Sequence, residues 1–181
     1  MLFATRLRRL AFGPLWRRTI AGLMLLMAAG LPSRAQTMPP LKADRVLVVK
    51  SERVLQLIVE DQVLKTYPVA LGRHPDGAKY RRGDERTPEG TYVIDGRSTR
   101  TPFRRKLHIS YPNDHDRVRA QQAHVQPGGG IYIHGMPARF GRTDPVRFLR
   151  DWTNGCIAVG NKAIEEIWDA VPDGTPIEIR P

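Results

Sequence analysis

Residues 45–70 read RVLVVKSERVLQLIVEDQVLKTYPVA, and this stretch decides the class of fold. Val46 to Val49 is a β-branched run, and Val54 to Val59 is a second in which Leu55, Leu57 and Val59 alternate onto one face. Val63 to Ala70 makes a third. Alternation with a period of two marks a strand with one buried face. Polar Ser51-Glu52 and Asp61-Gln62 fall where hairpin turns belong. Strands this short and this closely spaced form a meander, which predicts a mainly-β, sandwich-like or barrel-like body.

Further along, 72–90 is rich in Gly, Pro and charge and reads as a surface loop. It ends in the turn Thr87-Pro88-Glu89-Gly90, which leads into a strand from Thr91 to Ile94. Lys106 to Ser110 is another strand, broken by Tyr111-Pro112-Asn113. The flexible stretch Gln126 to Gly130 delivers the chain into Ile131-Tyr132-Ile133-His134, and Cys156 to Val159 is a short apolar run. One helix is signposted after it. Asn161 suits an N-cap, Ile164, Ile167, Trp168 and Val171 recur at helical spacing, and Pro172-Asp173-Gly174 stops the run. Glu165 and Glu166 are expected near the positive end of that helix. Pro176 to Arg180 is a closing strand.

The chain has 181 residues and a formal charge of +11. Six arginines and no acid lie in residues 1–35, which leaves 23 basic against 18 acidic residues in the other 146. The excess is therefore concentrated at the front, where Arg17-Arg18 precede a 12-residue apolar run from Ile20 to Leu31 and then Ser33-Arg34-Ala35. That is the layout of a secretory signal, and the run is shorter than the ~20 residues of a membrane-spanning helix. Residues 1–35 are read as a signal peptide cleaved before Gln36, with retention as an amphipathic anchor as the alternative. Residues 36–43 are a Pro-containing linker and 44–181 one domain, expected in the periplasm or cell envelope.

One cysteine cannot close a disulfide within the chain, so Cys156 is either a small buried hydrophobe or a reactive thiol. Its neighbours favour the thiol. Thr153-Asn154-Gly155-Cys156 places it after a glycine, which allows a tight exposed turn whose N–H groups face a developing oxyanion. Ile133-His134-Gly135 presents an imidazole at a strand end, and a thiol needs such a base because it is mostly protonated at neutral pH.

His134-Gly135, followed by Thr-x-Gly-Cys-Ile with its cysteine 22 residues after the histidine, resembles the L,D-transpeptidase catalytic domain family. The resemblance extends to Ala70-Leu71-Gly72, to Thr87 through Tyr92 and to Leu107 through Asn113. It implies a mostly-β catalytic domain with a short helix after the cysteine, acting on peptidoglycan stem peptides without metal or cofactor. Cys156 is then the nucleophile and His134 the base, oriented by the Gly135 carbonyl. Gly155 and Cys156 supply oxyanion-hole N–H groups, and Thr153 supports the turn. Thr153, Asn154 and Tyr111 are also assigned to substrate binding, together with Arg142, Arg147 and Arg150 of a basic loop from Arg139 to Arg150. The chain departs from the family pattern at Asn154, where many members carry histidine, and at Ala158, where many carry arginine. The expected product is a cross-link or a wall-protein attachment, the wall protein being a lipoprotein, made by a monomer.

Two other functions fit parts of the pattern: an L,D-endopeptidase or amidase of the same fold with water as acceptor, and a silent wall-binding module. The intact His134 and Cys156 weigh against the module. Nucleic acid is not expected as a partner, because the arginine patches at Arg81-Arg82, Arg104-Arg105-Lys106 and Arg139 to Arg150 lack interleaved aromatics or a reader motif and read as solvated faces. His74, His115 and His124 read as loop residues, His108 as a structural histidine, and Trp152 as core.

Overall fold

The computed structural model describes residues 41–137 and 150–181. The expected signal peptide, residues 36–40 of the linker, and 138–149 with Arg142 and Arg147 lie outside the described residues. The described strands are β1 (Arg45–Val49), β2 (Val54–Val59), β3 (Gln62–Pro68), β4 (Gly90–Ser98), β5 (Lys106–Ile109), β6 (Tyr132–His134), β7 (Ile157–Ala158) and β8 (Pro176–Arg180). The described helices are α1 (Asp114–Gln122) and α2 (Asn161–Ala170).

The strands form one sheet in the order β3-β2-β1-β8-β4-β5-β6-β7. Its two edges meet just past β3, where the Ala70 and Ala158 N–H groups each donate to the other's carbonyl, at 2.9 and 2.8 Å. The sheet is thus curled and stitched at one point, the mainly-β, barrel-like architecture that the alternation predicts. Inside the curl lie Val46, Val48, Leu55, Leu57, Ile94, Leu107, Ile109, Ile133, Ile157, Ile177 and Ile179. Ile164 and Ile167 bring α2 into the same core. Each fully buried Ile or Leu contributes roughly 1.5–3 kcal/mol, so this one apolar stripe is enough to seat a ten-residue helix. Ala43, read as linker, also belongs to the core and donates to Ala170 O at 2.8 Å.

Local departures from the expected pattern have identifiable causes. The β2–β3 turn centres on Glu60 and Asp61, both at positive φ, rather than on Asp61-Gln62. A bulge between Leu57 and Ile58 breaks the alternation, so Ile58 is buried in the place expected of Val59. The N-cap of α2 is Gly160, and Asn161 is the first helical residue. The Asn161 side chain accepts instead from Met136 N at 2.9 Å, tying α2 to the segment after β6. Glu165 and Glu166 lie beyond the first turn and pair with Arg105 at 2.5 Å and with Lys65 at 2.5 Å.

Helix α1, which carries His115, has no apolar stripe to betray it in the sequence. A polar box holds it: Asn113 Oδ1 accepts from Asp116 N at 3.0 Å, and Asp116 Oδ2 accepts from Asn113 N at 3.2 Å. Asp116 is buried and also accepts from Tyr92 Oη at 2.9 Å.

The 72–90 segment is not a solvated loop. It winds around two buried lysines, Lys50 on Glu89 and Lys79 on Asp84, each at 2.6 Å. Burial, the largest influence on Asp84, opposes its ionisation. The Lys79 ammonium and the N–H groups of Tyr80, Arg81 and Arg86 outweigh that and hold its carboxyl below the usual carboxylate range. Breaking a buried pair leaves the partner charge stranded. We expect Asp84→Asn to lower unfolding free energy by about 3–5 kcal/mol in urea titrations, against about 0–1 kcal/mol for Lys65→Ala at the half-exposed Lys65–Glu166 pair.

Candidate active site

β5, β6 and β7 lie side by side at one end of the sheet, and their registers define the site. Leu107 pairs with Ile133 and Ile133 with Ile157, all buried on the core face. The alternate residues occupy the opposite face. Lys106 pairs with His134 and His134 with Ala158, forming one row across the three strands. His108 pairs with Tyr132, and extending the parallel β6–β7 register back by one residue sets Cys156 beside Tyr132, forming the next row. Cys156 is therefore diagonal to His134 on the same face, on neighbouring segments of the sheet.

The His134 ring is fixed on several sides. Its Nδ1 lies 2.7 Å from the Gly135 carbonyl oxygen. A carbonyl only accepts, so Nδ1 carries the proton and Nε2 of the neutral ring is left as the acceptor. Phe103 packs on the ring with centroids 4.5 Å apart, and Trp152 meets it edge-on at 5.9 Å. Trp152 is half-buried and belongs to the site's wall rather than to the core. Gly135 is glycine for want of space. A Cβ there would stand 2.9 Å from Asn161 Oδ1 and from Ile164 Cγ2 on the first turn of α2.

The turn carrying Cys156 is built around Thr153. Its buried hydroxyl accepts from Gly155 N at 3.0 Å and donates to Cys156 O at 2.7 Å. Both capacities are used inside the turn, so Thr153 holds the backbone of Cys156 and presents no hydroxyl to a ligand. Gly155 has φ +125°, and a Cβ on it would approach Arg86 O to 2.6 Å. Its N–H donates to Thr153 Oγ1, so of the two N–H groups expected at an oxyanion hole, that of Gly155 is already engaged. The Cys156 thiol points at Gly130 O, 3.6 Å away.

Burial pushes the Cys156 thiol up, against the lowering influence of a backbone hydrogen bond from Tyr132 and the charges of Lys106 and Lys79. Burial pushes His134 down, which the Gly135 carbonyl opposes and Lys106 reinforces. Both influences favour the neutral forms, thiol and imidazole, over an ion pair.

Beside Cys156 opens a cleft of about 590 Å³ lined by Lys79, Arg82, Gly83, Glu85, Gly128, Gly129, Gly130 and Asn154. Asn154 is exposed in it and accepts from Arg73, which also pairs with Glu85 at 2.9 Å. Tyr111 is elsewhere. It is buried, stacks edgewise on Tyr92 and donates to Pro127 O at 3.0 Å, anchoring the glycine stretch from below instead of meeting a substrate. Arg150 is exposed just before Asp151, whose carboxylate fixes Leu71 N and Arg53. His108 lies in the Tyr132 row, two strands from Cys156, with Nδ1 2.5 Å from Asp95 Oδ1.

Lys106 and Arg82, which read as solvated faces in the sequence, lie at this site, and Lys79 lines the cleft with Arg82. The alternation Lys106-Leu107-His108-Ile109 was the available sign that Lys106 shares a face with the histidine row. Among the described residues no group of three His, Cys, Asp or Glu side chains is placed to hold a metal ion.

The sequence and the fold have counterparts. A protein named "Putative L,D-transpeptidase YafK" from Escherichia coli K12 is 30% identical over 132 residues, covering 70% of this chain and 46% of that protein. The crystal structure of the helical cell shape determining protein Pgp2 from Campylobacter jejuni superposes with a TM-score of 0.60 at 27% identity, over 75% of this chain and 46% of that one. A Bdellovibrio bacteriovorus structure, Bd1075, gives 0.52 at 26% identity over 74% and 46%. The chain thus spans about half the length of these relatives. Residues 43–179 match the YkuD family, described as the L,D-transpeptidase catalytic domain. The chain belongs to the L,D-transpeptidase catalytic domain family.

Proposed function

We propose that this domain is a cysteine acyltransferase acting on peptidoglycan stem peptides, with Cys156 as nucleophile and His134 as its base. The observation that carries the reading is the tautomer lock: the Gly135 carbonyl holds the proton on His134 Nδ1 and leaves Nε2 as the acceptor, on a strand paired with the one that follows Cys156. Nε2 takes the thiol proton as Sγ attacks the carbonyl preceding the terminal D-amino acid. The oxyanion meets Cys156 N–H. Collapse returns the proton from His134 to the departing amine and leaves a thioester. An amine of a second stem, or of a wall-attached lipoprotein, then attacks the thioester and passes its proton to His134.

The cleft supports a peptide substrate. Three successive glycines, Gly128 to Gly130, expose backbone for an extended chain, and Arg82 and Glu85 offer charges of both signs. The arginine-headed leader fits delivery to the cell envelope, where such stems are found. The Pgp2 likeness extends the reading to wall architecture and cell shape.

Cys156→Ala is expected to abolish release of D-alanine from a tetrapeptide stem while leaving the circular dichroism spectrum unchanged. Retained turnover in the folded variant would remove the nucleophile. His134→Gln is expected to slow acylation by ~10²–10⁴-fold.

The pH profile follows from burial. Protonated His134 cannot accept the thiol proton, and its pKa is held below the ordinary imidazole value of 6.5. Acylation is expected to persist as pH falls through 6.5 and to be lost only at lower pH, and a limb centred at or above 6.5 contradicts the assignment. Reaction direction is read from the products. At high acceptor concentration, muropeptide mass analysis should show cross-linked dimers, whereas released stems alone would mark the domain as an endopeptidase or amidase.

A further inference from the structure

We infer that Lys106 binds the free carboxylate of the amino acid released from the stem peptide, making it the residue that restricts the enzyme to C-terminal bonds. This rests on the acyl-transfer reading above and adds the determinant of where the peptide is cut.

The placement comes from the sheet. β6 lies between β7, which follows the nucleophile, and β5, which carries Lys106. Lys106 is the cross-strand partner of His134 and shares its face, away from the core side of Leu107 and Ile109. To receive its proton, the departing amine must come within about 2.6–3.2 Å of His134 Nε2. In an amino acid the carboxyl carbon is two bonds from that nitrogen. With the scissile carbonyl held on the Cys156 side, the carboxylate falls on the other side of His134, over β5. The cation waiting there is Lys106.

Its surroundings suit a substrate anion. Of the neighbouring cations, Arg104 and Arg105 pair with Glu165 and Lys79 with Asp84. Among the described residues no carboxylate pairs with Lys106. Its Nζ sits 4.2 Å from the centroid of the Tyr132 ring, a cation–π contact that holds the ammonium in place without neutralising it. That ring belongs to the residue beside Cys156, and the charge of Lys106 is felt at both the thiol and the imidazole. A stem cut at an internal amide has no carboxylate to offer at this point.

The test uses the purified protein and its lone cysteine. Second-order rates of Cys156 alkylation are measured with anionic iodoacetate and neutral iodoacetamide in wild type, Lys106→Met and Lys106→Arg. A changed thiol acidity alters both rates alike, so their ratio isolates recruitment of the anion. The iodoacetate-to-iodoacetamide ratio is expected to fall by roughly 3–10-fold in Lys106→Met and to recover in Lys106→Arg. In parallel, KM for a tetrapeptide stem ending in a free acid should rise by about tenfold or more in Lys106→Met, with no change for the C-terminal amide. An unchanged ratio, or equal KM effects on acid and amide, overturns the proposal. If wild type acylates no stem at all, the peptidoglycan reading fails, and the alkylation ratio still reports whether Lys106 is an anion site.

Discussion

Two parallel residue pairs, Ile133 with Ile157 and His134 with Ala158, carry the rest of the site. They bring segments that are distant in sequence to neighbouring strands and set which side chains share a face. With Ile133 and Ile157 both buried, a shift by one residue would turn an isoleucine out of the core and rotate Cys156 away from His134. Core packing and the placing of Cys156 near His134 are therefore the same constraint. The Ala70–Ala158 pair reinforces it from the other side, because the strand that follows Cys156 is also the edge that closes the sheet.

The two glycines of the site serve that arrangement by different means. Gly135 lets α2 come close enough to bury Ile164 while its carbonyl fixes the His134 tautomer. Gly155 takes a backbone conformation that side chains avoid, so that the Thr153 hydroxyl can close the turn around Cys156. The 72–90 segment presses on the same turn through Arg86 and is itself held by the buried Lys50–Glu89 and Lys79–Asp84 pairs. The backbone of Cys156 is thus supported by polar contacts on one side and by the sheet on the other.

What was legible in the sequence was what repeats or is spaced: the β meander, the apolar face of α2, the His-Gly and Thr-x-Gly-Cys motifs. Less legible was whatever depends on a long-range polar partner. Helix α1 is held by Asn113 and Asp116, the charged loop by two lysines, and neither has apolar periodicity to reveal it. Tyr111 and Thr153 look like substrate ligands in a motif, yet the fold turns both hydroxyls onto backbone carbonyls. Lys106 looked like one of a run of surface cations. Only the β5–β6 register separates it from Arg104 and Arg105, which turn to Glu165.

The central claim is that one sulfur, aligned by β6–β7 pairing, carries the acyl group. Intact-protein mass spectrometry of the domain mixed rapidly with a tetrapeptide stem tests it directly. A transient mass increase equal to the stem less its terminal D-amino acid, mapped by proteolysis to the peptide holding Cys156, is the predicted result. Turnover with no covalent species at any time, or an adduct on another residue, would contradict it.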